Sequence, residues 1–108
     1  MPIKFNTANF HDTYILAVLE DTAADTLVMT VDYPANWRES VYEKRLLLFS
    51  DAFNYRVEEI RFEGSPEILE IESTRLNEGI LRFRLNTNAG YREISCSSVE
   101  FLDEKLTK

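Results

Sequence analysis

The sequence predicts an all-β fold, an antiparallel β-sandwich or partly open barrel of about seven strands. Three observations carry this. Short apolar segments alternate with polar residues from Thr13 to Leu102. Clusters of turn formers separate them, among them Ser50-Asp51-Ala52, Gly64-Ser65-Pro66, Asn77-Glu78-Gly79 and the run from Asn86 to Gly90. With 108 residues, the chain reads as a single all-β domain over 1–108, long enough to bury a core without covalent staples.

The elements follow in order. Tyr14 to Leu19 is apolar on both parities, the pattern of a strand covered on both faces. Polar residues from Glu20 to Asp25 lead into a second strand, Thr26 to Tyr33, in which Leu27, Met29, Val31 and Tyr33 share one face. The two form a hairpin, which Pro34 ends because proline cannot donate to a ladder. Residues 36–44 read two ways. Asn36 can cap a short helix carrying Trp37, Val41 and Tyr42, or the stretch can be a loop into the strand that ends in Leu46-Leu47-Leu48-Phe49.

From Phe53 to Phe62 the apolar parity changes: Phe53, Tyr55 and Val57 are odd, Ile60 and Phe62 even. One extra residue must be absorbed, which predicts a β-bulge at Glu58-Glu59 with both carboxylates exposed. Glu67 to Ser73 sets Leu69 and Ile71 against Glu70 and Glu72, with Ile68 as the exception. Leu81, Phe83 and Leu85 then face inward and Arg82 and Arg84 outward. In the last segment Ile94 and Cys96 are even but Val99 and Phe101 odd, predicting a second bulge at Ser97-Ser98. Residues opposite each other in an antiparallel pair point the same way, so Leu81 or Phe83 must oppose Ile94, and Arg82 and Arg84 must share a face with Tyr91 and Glu93.

A net charge of −7 disfavours sequence-independent nucleic-acid binding and attraction to anionic lipid. The longest apolar run, Tyr14 to Leu19, is far too short for a membrane-spanning helix, and residues 1–20 lack the pattern of a secretion leader. With a single cysteine, Cys96, no internal disulfide forms, as expected of a cytoplasmic protein. No metal, cofactor or nucleotide motif stands out.

Candidate chemistry is sparse. His11 is the only histidine and adjoins Asp12; the pair can serve acid–base chemistry, or Asp12 can simply close a turn before Thr13. Cys96 reads as a core thiol. The acidic set Glu58, Glu59, Glu63, Glu67, Glu70 and Glu72 reads as a solvated face or as a surface for a protein partner. Arg75, Arg82, Arg84 and Arg92 suggest an anion site or, preferably, cross-strand pairs with Glu93 and neighbouring glutamates. Trp37, Tyr33 and Tyr42 flank Pro34 and either close the core or anchor a partner.

Phe10-His11-Asp12 ahead of two alternating strands, with the later run Leu46-Leu47-Leu48-Phe49-Ser50-Asp51-Ala52, resembles the opening of a group of small bacterial all-β proteins, some of them immunity-protein-like. The likeness covers about half the chain and implies a non-enzymatic binding role, with no site residue carried over.

Two function classes follow. The first is a non-enzymatic protein-interaction module, inhibitor- or immunity-like, with Glu58, Glu59, Glu63 and Trp37 facing the partner. The second is a small-ligand-binding or enzymatic sandwich or barrel, with a pocket built around His11, Asp12, Trp37 and Tyr42.

Overall fold

A computed structural model describes residues 10–36, 38–39 and 41–103. It is all-β, and among the described residues there is no helix, hence none long and apolar enough to cross a membrane. Eight strands form one antiparallel sheet: β1 (Thr13–Asp21), β2 (Thr26–Asn36), β3 (Val41–Ser50), β4 (Phe53–Glu59), β5 (Glu67–Asn77), β6 (Ile80–Thr87), β7 (Gly90–Cys96) and β8 (Ser98–Asp103). Their order across the sheet is β4-β7-β6-β5-β1-β2-β3-β8.

This order forces the sheet to curl. The β3–β4 link is Asp51-Ala52 and the β7–β8 link is Ser97, yet each joins strands six places apart in the order. In a flat sheet six spacings would be about 29 Å, while so short a link reaches roughly 11 Å at most. The two ends of the sheet therefore lie side by side without closing a barrel. Bonds tie them at the corner. The Ser97 amide donates to the Ser50 carbonyl at 2.9 Å, the Ser97 hydroxyl to the Asp51 carboxylate at 2.6 Å, and the Ala52 amide to the Asp25 carbonyl at 2.8 Å. Asp12, Asp25, Asp51 and Asn54 all have positive φ, which short Asx side chains tolerate better than other non-glycine residues.

The core fills the space inside the curl. Leu27, Met29 and Val31 of β2, Leu47 and Phe49 of β3, Phe101 of β8, Phe83 and Leu85 of β6, and Ile94 and Cys96 of β7 are all buried. Phe49 meets Phe83 across the core at 6.0 Å between ring centroids. Phe10, Tyr33 and Phe101 close one end, with Phe101 5.0 Å from each of the other two rings. The expected register holds: Leu81 faces Cys96, Phe83 faces Ile94, and Arg84 faces Glu93.

Several expectations change. The first strand is not covered on both faces. A bulge at Leu16, between Ile15 and Ala17, switches the inward parity from Thr13 and Ile15 to Val18, leaving Leu16 and Leu19 exposed. Pro34 does not end β2 but lies within it, opposite Tyr42; beyond Asp32 β2 has only β3 beside it, an edge-like setting that tolerates proline. No helix occupies the described part of residues 36–44, because Val41 to Lys44 extend β3.

The bulge expected at Glu58-Glu59 lies instead at Asn54-Tyr55, between Phe53 and Arg56. From Arg56 the strand pairs regularly to its end at Glu59, so Ile60 and Phe62 fall outside it and are exposed. The irregularity at Ser97 is a sheet corner rather than a bulge, which is why the strands number eight. Within β5 it is Ile68 that is buried, while Leu69 bulges outward.

Candidate functional site

The predicted partner-facing glutamates separate onto the two faces of the sheet. Val57 and Glu59 oppose Arg92 and Gly90, on the inner face, whereas Arg56 and Glu58 oppose Glu93 and Tyr91, on the outer one. Glu59 is not exposed. Its carboxylate accepts two bonds from the Arg92 guanidinium at 2.9 Å each, and both side chains are about seven-eighths buried, at 12% and 15% exposure. Arg92 also donates to the Tyr55 hydroxyl at 3.0 Å. The hydrogen bonds it donates to Glu59 hold the guanidinium more firmly charged than usual, and burial raises the Tyr55 phenol. Glu59 is thus spent inside the fold, and the cross-strand pair expected for Arg92 forms with Glu59 rather than with Glu93.

On the outer face the charges form a belt across four strands. Arg56 of β4 lies 3.9 Å from Glu58 and 4.0 Å from Glu93 of β7. Glu93 is also 3.8 Å from Arg84 of β6, whose guanidinium stacks 3.8 Å above the Tyr91 ring. Arg84 donates to the Asn86 side-chain oxygen at 3.1 Å, and the Asn86 amide donates to Glu72 at 2.6 Å and Glu70 at 3.4 Å, both on β5. The cross-strand pairing expected for Arg84 is therefore present. At the β5 end the belt terminates in two exposed carboxylates held by a neutral amide, and among the described residues neither has a cation within ion-pair distance.

Of the expected pocket residues, His11 and Asp12 lie at the seam between β1 and β5, and Tyr42 lies on β3. The Thr13 amide donates to the Phe10 carbonyl, closing a tight turn around His11 and Asp12. His11 Nδ1 is 3.1 Å from the Asp12 carboxylate, and His11 is more than half exposed. Asp12 and Glu67 share a side-chain hydrogen bond that lowers the Asp12 carboxyl and raises that of Glu67. Glu67 also raises the Tyr14 phenol, and Tyr14 lies 6.0 Å from the exposed Tyr42 ring. A groove of about 270 Å³ is lined by residues 15–18, 64–66 and Arg92, and includes neither His11 nor Tyr42. Trp37 lies outside the described residues.

Cys96 is fully buried, and burial pushes its thiol up to about 11, so it is an uncharged core group at neutral pH. Among the described residues no group of three or more His, Cys, Asp and Glu side chains is placed to hold a metal ion. Glu63 is an exposed residue of the β4–β5 loop, and of the other predicted acidic residues Glu58, Glu70 and Glu72 join the charged outer face.

What sequence reasoning did not reach is the seam itself. β5 pairs with β1 at only two residues, Ile68 with Thr13 and Glu67 with Tyr14. Beyond Ile68 one side of β5 has no neighbouring strand among the described residues. No known protein family, curated protein or solved structure matches this chain.

Proposed function

We propose that the chain is a non-enzymatic protein-interaction module, inhibitor- or immunity-like, acting in the cytoplasm. The observation that supports this reading best is the outer charged belt, which ends on β5 in the exposed carboxylates of Glu70 and Glu72; among the described residues neither is within ion-pair distance of a cation, although Arg84 lies across from Glu72 on β6. Complementary charge speeds and orients association with a basic partner. A rigid core beneath the belt keeps the surface pre-organised, which limits the entropy lost on binding.

A second reading rests on the groove beside Arg92, whose volume would admit a small ligand. Its guanidinium is already satisfied by Glu59, so the groove offers a mainly neutral lining and is the weaker candidate.

Affinity capture from the source cell with mass spectrometry, followed by calorimetry on the captured protein, tests the first reading. The expected result is a basic protein that binds at one-to-one stoichiometry and weakens as salt rises. A screen in which a small metabolite stabilises the protein, with no saturable protein partner, supports the second reading instead.

A further inference from the structure

We infer that the free edge of β5 between Glu70 and Arg75 accepts one extended, basic segment of another protein as an added strand. The inference rests on the interaction-module reading and names the place and the chemistry of the partner.

The backbone supplies the template. Bulges between Ile68 and Glu70 and between Arg75 and Asn77 bracket a regular stretch in which Glu70 to Arg75 pair with Asn86 to Leu81. On its other side this stretch has no strand partner among the described residues, and Glu70 and every residue from Glu72 to Gly79 are exposed. Unpaired amides and carbonyls on such an edge are satisfied by water or by an incoming strand.

The other edges are poorer templates. β4 is interrupted by the bulge at Asn54-Tyr55, with Asn54 in a left-handed conformation. β8 spans only six residues. β1 bulges at Leu16, and its Ile15 amide is already taken by the Pro66 carbonyl at 2.9 Å.

Side chains specify the occupant. Glu70 and Glu72 stand on the outer face, neither within ion-pair distance of a cation among the described residues even though Arg84 lies across from Glu72, while Ile71 points inward and is half-buried against the core. Residues opposite each other across an antiparallel pair share a face, so the incoming strand is favoured by lysine or arginine opposite the glutamates and an apolar residue opposite Ile71. A second copy fits badly. In a two-fold antiparallel pairing even-numbered residues meet even-numbered residues, which brings Glu70 and Glu72 of both copies together.

The test is an amide NMR titration of the whole chain with the capped peptide Thr-Lys-Val-Lys-Val-Lys-Thr. The expected result is binding in the micromolar to millimolar range. Shifts should centre on Glu70–Arg75, and their amides should exchange more slowly when the peptide is bound. Backbone N-methylation of the peptide should abolish binding, since it removes the added ladder. The double variant Glu70→Lys, Glu72→Lys, on exposed sites and checked for an unchanged melting curve, should weaken binding about 10-fold at low salt. Shifts centred on the outer belt or the groove overturn the strand-addition inference but leave the interaction reading standing. Absence of binding to any surface at millimolar peptide also overturns it, and the captured partner then decides the broader reading alone. Concentration-dependent dimerisation through β5 overturns the choice of occupant.

Discussion

The β2–β3 seam and the β1–β5 seam belong to one sheet but are built to opposite extents. β2 and β3 pair from Thr26 with Ser50 to Asn36 with Val41, and their inward residues Leu27, Met29, Val31, Leu47 and Phe49 are buried. β1 and β5 pair at two residues, after which β5 runs on for nine residues to Asn77. Period and burial agree through the centre of the first seam, where Leu27, Met29 and Val31 of β2 face Phe49, Leu47 and Arg45 of β3, so the register is strongly specified. In the second they disagree. Residues from Glu72 to Gly79 are exposed on both faces, so little apolar burial fixes a neighbour there. Stability is concentrated in the first seam, and the second leaves backbone available to a partner.

The largest expected effect breaks this contrast from the closed side. Leu47 is fully buried, so Leu47→Ala should cost about 3 kcal/mol in chemical denaturation. Ser73→Ala on the arm of β5 should stay within about 0.5 kcal/mol. Equal losses at the two sites would show that the arm is as integral to the fold as β3.

The next effect is a gain at the open seam. Thr13 is fully buried and its hydroxyl has no hydrogen-bond partner among the described residues. Thr13→Val keeps the shape and removes the orphaned hydroxyl, so it should stabilise by about 1 kcal/mol. A loss of stability on thermal melting would mean that the hydroxyl is satisfied in solution.

The smallest effect is pH dependence in the same place. Glu67 is raised above its ordinary value of 4.5, chiefly because its protonated form hydrogen-bonds Asp12, which is itself lowered. The Glu67 contribution is complete below that ordinary value and is lost as pH rises through the elevated one; the Asp12 contribution is lost as pH falls through its depressed one. The two coexist only in the mildly acidic range, and exposure keeps both small. Carboxyl-carbon NMR titration should find Glu67 above and Asp12 below their ordinary values, and Glu67→Gln should abolish the loss of stability as pH rises while leaving an Asp12 contribution from His11. Two unshifted carboxyls would remove the shared proton from the account.

These differences also explain what the sequence could disclose. The pairing of Leu81 and Phe83 with Cys96 and Ile94 was legible because each side alternates without interruption. The misplaced bulge arose from assuming that Ile60 and Phe62 are core; both lie past the end of β4, and Asn54, where the bulge sits, leaves the odd parity of Tyr55 and Val57 undisturbed. Leu16 hid a bulge in the same way, since an apolar run carries no parity to break. A cross-strand glutamate for Arg92 was legible, but not that it is Glu59 or that the pair is buried, because charged residues on an inward parity read as exceptions until their partner strand is known. The open seam had no local signal at all, since which strands meet depends on contacts distant in sequence.

Residue-by-residue amide hydrogen exchange in the free protein tests the central contrast most directly. The account predicts slow exchange, set by global unfolding, for the core residues of β2 and β3, and fast exchange for those β5 amides between Glu70 and Arg75 that point away from β6. Protection of these β5 amides equal to that of β2 and β3 would contradict it, because the edge would then already be occupied.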